Sequence, residues 1–323
     1  MTLYAPTQLK PAGTRSFRLA SSQLFDLGIN SQNYDKESAD IYEAPPGYSF
    51  YQRDQAGAEA LVVAYEAQPG RYRALFENKL KPHTYVALHL FLDKFRKAHP
   101  RERYWLKSAP ELKALPEWAE LCNYIQKKSK FEYDIGKRTG HASNYKMGPN
   151  TFRESALKES EGSLVMSFEE AAYYLNIYKE LFPEIVEWQI EIEHAIKTER
   201  ILRNLFGFPR RFERQITDSY IREAISWIPQ STVGCITHRA YRKTYDYIEA
   251  HKLPWRQVSN KHDSYAVLAP DSDQEFVRDI MAEHIGQHLV GKRGEFTMIS
   301  DFQVGKNLKK YDPDTNPLGM REV

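Results

Sequence analysis

Two aspartates that stand more than two hundred residues apart, Asp54 and Asp263, each lie at a strand-like run of apolar and aromatic residues. Between them, a helix-compatible run carries Lys137, His141 and Tyr145 at positions i, i+4 and i+8. Residues at this spacing share one face of a helix. Two carboxylates, together with a helix face that carries one cation and two rings, match the needs of metal-dependent nucleotidyl transfer.

In that reaction a hydroxyl attacks an α-phosphate while pyrophosphate leaves, and two Mg²⁺ ions about 3.5–4 Å apart stabilise the attacking and the leaving oxygen. Mg²⁺ keeps several waters and takes one or two protein carboxylates, so Asp54 and Asp263 suffice. Lys137 suits neutralisation of a triphosphate, and Tyr145 suits stacking on a base. Taken singly, each residue has a plainer interpretation: a strand-end aspartate, a solvated lysine or a half-buried tyrosine.

The order and spacing of the set resemble the polymerase module of family A DNA polymerases. The three motifs of that family are matched by Asp54 with Glu59, by Lys137 with His141 and Tyr145, and by His262 with Asp263. Further matches run from about Thr14 to Leu308 in the order that the family has them. The resemblance therefore covers nearly the whole chain.

The resemblance implies a role for each matched residue. Asp54, Asp263 and Lys137 would be catalytic, and two Mg²⁺ ions, with Mn²⁺ as an alternative, would be held at Asp54, Gln55 and Asp263. The incoming dNTP would be bound by Glu59, His83, Lys137, His141 and Tyr145. Primer–template DNA would be contacted by Arg18, Asn30, Gln32, Asn33, Arg222, Gln230 and His262. A Glu59–Tyr145 pair would fill the space of a ribose 2′-hydroxyl and so favour DNA synthesis.

Four positions depart from the family pattern. Tyr133 stands where the family carries an arginine that binds the triphosphate, four residues before Lys137. Lys146 replaces a glycine, Gly57 replaces a glutamine, and Ser264 replaces the acidic residue after the His-Asp pair.

Composition agrees with an enzyme module without identifying one. A chain of 323 residues predicts two lobes or two domains. The net charge is only +2, so DNA binding would depend on local basic clusters at 127–130, 210–211 and 306–310. Two cysteines, Cys122 and Cys235, indicate neither a disulfide framework nor a cysteine zinc site. With no signal pattern and no long apolar stretch, we expect a cytoplasmic protein, in a bacterial host cell if a phage encodes the chain.

The hydrophobic periodicity predicts an α+β fold. Helices are predicted at Ala58–Tyr65, Val86–Lys97, Glu117–Lys128, Lys137–Lys146, Ser167–Phe182, Glu184–Asn204, Asp218–Ser226 and Thr232–Ala250. Strands are predicted at Tyr48–Asp54, Arg256–Asn260 and Ser264–Leu268, with a last strand pair within Phe296–Phe302. By resemblance, an antiparallel palm (1–66 and 218–323) is interrupted by a helical fingers lobe (67–217), with no thumb or exonuclease domain.

Three functions are consistent with these observations. The leading one is a template-directed DNA polymerase, the palm–fingers piece of a split or phage replicase, with a separate protein supplying the thumb and exonuclease. The second is a relative of single-subunit RNA polymerases, against which Glu59 and the stretch from Arg18 to Asn33 argue. The third is a DNA-binding remnant that no longer catalyses.

Overall fold

The computed structural model describes residues 7–10, 14, 20–23, 39–98 and 104–323. The strands are β1 (Thr7–Lys10), β2 (Ala20–Gln23), β3 (Tyr48–Gln55), β4 (Ile201–Arg203), β5 (Pro209–Arg211), β6 (Arg256–Lys261), β7 (Ser264–Pro270), β8 (His288–Gly291), β9 (Gly294–Thr297), β10 (Ser300–Gly305) and β11 (Arg321–Glu322). The helices are α1 (Ala58–Glu66), α2 (Arg71–Glu77), α3 (Pro82–Leu90), α4 (Leu92–Ala98), α5 (Ala109–Lys113), α6 (Pro116–Lys128), α7 (Lys130–Asn144), α8 (Pro149–Glu159), α9 (Phe168–Leu181), α10 (Pro183–Thr198), α11 (Asp218–His251) and α12 (Gln274–Ile285).

The main sheet is built from strands at both ends of the described chain. Its order is β11-β10-β3-β7-β6, and every neighbouring pair is antiparallel. The central strand β3 precedes the long helical region, whereas its neighbours β7 and β10 follow it. This arrangement confirms the predicted α+β class: an antiparallel, palm-like sheet interrupted by helices.

Side chains alternate along β3 and give its two faces different environments. Tyr51, Arg53 and Gln55 are buried on the face that packs against helices. There, Nη2 of Arg53 donates a hydrogen bond of 2.9 Å to the main-chain oxygen of Arg278 in α12. Because Asp54 lies between these residues, its side chain points to the opposite face of the sheet.

Helix α7 packs tightly against α3 at a glycine. A Cβ atom at Gly136 would lie 2.7 Å from the main-chain oxygen of His83 and 2.9 Å from the main-chain nitrogen of Ala87. At Gly140, one turn later, the nearest atoms would lie 3.7 Å and 3.9 Å away, which is ordinary contact. The absence of a side chain at Gly136 therefore sets how closely α7 approaches α3.

We expect Gly136→Ala to lower the free energy of unfolding by about 1–3 kcal/mol relative to Gly140→Ala, because only the first substitution forces α3 away from α7. Both replacements gain the same helix propensity, about 1 kcal/mol, so the comparison isolates the packing. Urea unfolding followed by tryptophan fluorescence measures the difference. Equal stability of the two variants would show that α3 and α7 can move apart at Gly136 without a loss of unfolding free energy.

Several predicted helices end or continue differently in the structure. The run predicted as Val86–Lys97 is two helices, α3 and α4. The run predicted as Glu184–Asn204 ends as α10 at Thr198, because Arg200 takes a left-handed conformation (φ 59°) that leads into β4. The helix start predicted at Ser167 is confirmed: Ser167 is the N-cap of α9, and its hydroxyl accepts a hydrogen bond from the main chain of Glu170.

The two helices predicted around Pro229 form one continuous helix, α11. Proline cannot donate the intrahelical hydrogen bond and normally interrupts a helix. Here Trp227, Ile228 and Val233 on both sides of Pro229 are buried, and this packing holds the helix together.

The predicted last strand pair is also wrong. β9 pairs with β8 in a separate hairpin, whereas β10 joins the main sheet beside β3. Within the part of the chain that the structure describes, no helix is both long and apolar enough to cross a membrane.

Candidate active site

A cavity of about 740 Å³ lies between one face of the main sheet and helix α7. Strand and turn residues contribute three carboxylates to its lining, and the helices contribute, among others, a glutamate, a lysine, two histidines and a tyrosine. These lining residues are Asp54, Asp263 and Asp301, Glu59 in α1, His83 in α3, and Lys137, His141 and Tyr145 along α7. Apart from Asp301, these residues were singled out from the sequence for catalysis and nucleotide binding, and the structure brings them together although they are far apart in sequence.

The carboxylates are placed by strand register. Asp54 lies near the end of β3, opposite Ser264 on β7 and opposite Asp301 on β10. Asp263 occupies the second position of the two-residue turn that joins β6 to β7. Directly paired residues project from the same face of a sheet, so Asp301 lies beside Asp54. The sequence analysis missed Asp301, since only the register of β10 against β3 identifies it.

The pKa of Asp54 is raised to about 7. Burial is the largest cause, and the charges of Asp263 and Asp301 add to it, while Lys137 acts in the opposite direction. Bringing several carboxylates together in a partly buried site disfavours their ionised forms.

A cation would relieve the repulsion at these carboxylates. Among the described residues, no group of three or more His, Cys, Asp or Glu side chains has a geometry that could hold a metal ion. Mg²⁺ needs fewer protein ligands, because it keeps waters and also takes oxygens from substrate phosphates. Asp54 and Asp263 therefore fit a magnesium site that a bound triphosphate completes.

The pH dependence of stability provides a direct check on the environment of Asp54. A carboxyl whose folded pKa exceeds its unfolded value contributes stability below about pH 4 that is lost as the pH rises towards 7. We therefore expect the metal-free protein to lose unfolding free energy over this range relative to Asp54→Asn, by at most about 1.4 kcal/mol for each pKa unit.

The control for this measurement is Asp271→Asn. Hydrogen bonds from Lys306 and Ser49 hold the pKa of Asp271 below its usual range. Its contribution therefore has the opposite sign and is lost as the pH falls. Chemical unfolding in EDTA at several pH values measures both. If the difference in unfolding free energy between wild type and Asp54→Asn does not change with pH, the pKa of Asp54 is not raised.

On the helix side, Tyr145 caps the C-terminal end of α7 and is buried. Its hydroxyl donates a hydrogen bond to a carboxylate oxygen of Glu59. The ring of His141 packs edge-on against Tyr145, with centroids 4.9 Å apart. Tyr145 therefore contacts both Glu59, the residue predicted beside the sugar, and His141, the residue predicted beside the base.

Gly57 allows Glu59 to reach this position. It adopts a left-handed conformation, φ 59°, directly before α1, and turns the chain sharply after β3. A residue with a Cβ atom pays roughly 1–2 kcal/mol in that conformation. This accounts for the glycine at a position where the family pattern has glutamine.

A buried polar network fixes the end of α7. Asn144 Nδ2 donates to the hydroxyl of Tyr72 at 3.0 Å, and the hydroxyl of Tyr178 donates to Asn144 Oδ1 at 2.7 Å. Gln189 Nε2 donates to the main-chain oxygens of Ser143 and Asn144 at 2.6 and 3.0 Å. Since Asn144 immediately precedes Tyr145, this network sets where the tyrosine stands. The sequence offered no signal for it, because its members come from four separate helices.

His83 is held neutral by its surroundings. Burial, assisted by the positive charges of Lys137, His141 and Lys81, lowers the pKa of His83 to about 4. Its ring also meets the ring of Tyr133 edge-on, with centroids 6.3 Å apart. At neutral pH, His83 can therefore offer a hydrogen bond to a ligand but no positive charge.

Gln55 does not present its side chain as a metal ligand. The side chain is buried, and its Nε2 donates to Thr237 Oγ1 at 2.6 Å and to the main-chain oxygen of Asp263 at 3.1 Å. Because the side-chain oxygen is buried as well, a metal-binding role for Gln55 would have to use its main-chain carbonyl.

The residues predicted to contact DNA are only partly described. Arg18, Asn30, Gln32 and Asn33 lie outside the described residues. Arg222 and Gln230 project from α11, and His262 stands next to Asp263 in the turn; none of the three lines the cavity.

Two of the three predicted basic clusters are partly neutralised by ion pairs. Arg210 pairs with Glu223, Lys306 pairs with Asp271, and Lys309 pairs with Asp40. These clusters therefore carry less free positive charge than the sequence indicates.

No protein-family model and no curated protein matches the chain. Its fold is similar to that of the POL domain of Pol1 from M. smegmatis, solved in complex with DNA primer-template and dNTP, with a TM-score of 0.65. The two sequences are 15% identical over 93% of this chain and 47% of that chain. The chain thus spans about half the length of that neighbour, and the similarity establishes a polymerase palm-and-fingers-like fold.

Proposed function

We propose that this protein is a template-directed DNA polymerase of family A type, which transfers a nucleotide from a dNTP to the 3′-hydroxyl of a primer. One observation carries the proposal: Asp54 and Asp263 meet Lys137, His141 and Tyr145 across a single cavity. A carboxylate pair faces a cation and two rings there, the arrangement that a nucleotide triphosphate requires on its metal side and on its base side. The segment 67–217 would then form the fingers, and 1–66 with 218–323 the palm.

Each side chain has a defined task in this proposal. Lys137 neutralises the triphosphate, His83 donates a hydrogen bond to it, and His141 with Tyr145 stacks against the base. Glu59 and Tyr145 close the space beside the sugar. Mg²⁺ bound at Asp54 and Asp263 would stabilise the charge on the attacking and leaving oxygens.

The proposed triphosphate site has one positive charge fewer than the family pattern, because Tyr133 stands where that pattern has an arginine. Arg138 also lines the cavity and forms an ion pair with Glu159 in α8. Among the described residues that line the cavity, Lys137 is the lysine and Arg138 is the arginine. We propose that Lys137 carries most of the phosphate recognition, since Arg138 is already paired.

A partner that grips the duplex belongs to the same proposal. Phosphate contacts and counterion release provide much of the affinity for duplex DNA. A separate protein with thumb and exonuclease functions would supply such contacts. The phage-type assignment likewise remains a prediction of the sequence.

Primer extension by the purified chain, with Mg²⁺ and either dNTPs or rNTPs, tests the proposal. Template-dependent extension with dNTPs supports it, and equal use of rNTPs would favour the RNA polymerase alternative. DNA binding without extension, with or without lysate of the native host, would favour the non-catalytic remnant. Affinity capture from that lysate, followed by mass spectrometry, tests for the partner.

A further inference from the structure

We propose that Gln55 and Thr237 form a buried lock that sets the spacing of the two catalytic aspartates, so that both are positioning residues for metal binding. The lock consists of the side chains of Gln55 in β3 and Thr237 in α11, which are fully or almost fully buried. The inference rests on the proposed polymerase function and adds two residues to the machinery of that site. Neither side chain touches the reacting atoms.

The lock holds both main-chain carbonyls of the turn that carries Asp263. Thr237 Oγ1 lies 3.0 Å from the carbonyl oxygen of His262. Gln55 donates twice to the carbonyl oxygen of Asp263, from its main-chain nitrogen and from Nε2, each at 3.1 Å. Gln55 Nε2 and Thr237 Oγ1 are themselves 2.6 Å apart. One connected network therefore fixes both residues of the turn.

The direction of these hydrogen bonds follows from counting protons. The Thr237 hydroxyl has one proton and two acceptors in reach, the carbonyl oxygens of His262 at 3.0 Å and Val233 at 3.1 Å. In a helix, the carbonyl of Val233 already accepts from the main-chain nitrogen of Thr237. We infer that the proton goes to His262, the nearer of the two acceptors, and that the hydroxyl oxygen accepts from Gln55.

The orientation of the Gln55 amide is equally determined. The atom assigned as Nε2 faces two oxygen acceptors, Thr237 Oγ1 and the carbonyl of Asp263. Exchanging the amide nitrogen and oxygen would place Oε1 against the Asp263 carbonyl, which repels it. In this orientation Oε1 is buried without a protein hydrogen-bond partner.

The position of Gln55 in the chain links the two aspartates. Gln55 immediately follows Asp54, and its side chain donates a hydrogen bond to the main chain of Asp263 in the turn between β6 and β7. The turn contains only His262 and Asp263 and stands at the end of the sheet with both side chains exposed. Two metal ions about 3.5–4 Å apart tolerate little movement of their ligands, so a turn in this position needs support from inside the protein.

A matched pair of threonines on α11 provides the test. Thr244 is as fully buried as Thr237 and lies on the same helix, but it contacts Tyr265 and His284 away from the cavity. Thr237→Val and Thr244→Val remove the same hydroxyl from similar surroundings. We expect similar losses of stability from the two substitutions, whereas only Thr237→Val alters the site.

The readouts are single-nucleotide kinetics and Mn²⁺ affinity by electron paramagnetic resonance. For Thr237→Val we expect about a tenfold or larger fall in kcat, little change in KM for dNTP, and several-fold weaker Mn²⁺ binding. Thr237→Ser should restore all three values, and Thr244→Val should leave them unchanged. Gln55→Met should reproduce Thr237→Val, and the double variant should lose little more, because the two side chains act as one unit.

Equal values for Thr237→Val and Thr244→Val, or additive losses in the double variant, would overturn the lock. Should Thr237→Val fail to fold, Gln55→Met and Thr237→Ser decide the question. The Mn²⁺ measurement also separates this inference from the proposed function. If the wild type does not extend primers, the function fails, while weaker Mn²⁺ binding in Thr237→Val but not in Thr244→Val would still support the lock.

Discussion

Asp54→Asn and Asp263→Asn are each expected to reduce primer extension by about a thousandfold or more. Asp54 lines the cavity from β3 and Asp263 from the turn before the adjacent strand β7, and Asp263 contributes to the raised pKa of Asp54, so the two side chains act on the same small volume. A metal held there provides several kcal/mol of stabilisation to the transition state, and each 1.36 kcal/mol is a factor of ten in rate. Rapid-quench measurement of single-nucleotide incorporation gives the loss.

Asp271→Asn is the control for this prediction. Asp271 follows the opposite end of β7, where it accepts a hydrogen bond from Ser49 and pairs with Lys306. Its replacement removes a carboxylate near the same sheet without touching the cavity, so extension should remain close to wild type. Activity that survives both active-site substitutions would show that the observed polymerase is a contaminant or that other residues hold the metal.

The sequence predicted the residues whose chemistry is carried by local spacing. Lys137, His141 and Tyr145 share a helix face by periodicity alone, and the structure places all three on one cavity. Asp54 and Asp263 could be identified because each stands at a strand with a recognisable pattern. Family resemblance then provided the order in which these pieces occur, and the similarity to a solved polymerase domain independently supports the predicted fold.

What the sequence could not show depends on contacts between distant segments. Asp301 reaches the site through the register of β10 against β3, and a shift of one residue would turn its side chain to the other face. Thr237 acts through a turn that lies beyond its own helix. The continuity of α11 through Pro229 likewise depends on burial, which overrides the local preference of proline.

Glu59→Ala is expected to raise the use of rNTPs relative to dNTPs by about 100-fold, with a smaller loss of overall activity. The carboxylate of Glu59 accepts a hydrogen bond from the buried hydroxyl of Tyr145, so both groups occupy a fixed position beside the proposed sugar site. A 2′-hydroxyl would have to displace this pair or leave it unsatisfied. Removing the carboxylate opens that space.

The matched control for sugar selection is Glu159→Ala. Glu159 also lines the cavity and also has a polar partner, Arg138, but it belongs to α8 rather than to the first turn of α1, which carries Glu59. Tyr145→Phe completes the set, because it removes the hydroxyl and keeps the ring, and should relax sugar selection less than Glu59→Ala. Ratios of kcat/KM for matched rNTP and dNTP measure all three variants. If Glu59→Ala and Glu159→Ala change the ratio equally, Glu59 acts only through the general charge of the cavity and the Glu59–Tyr145 pair does not select the sugar.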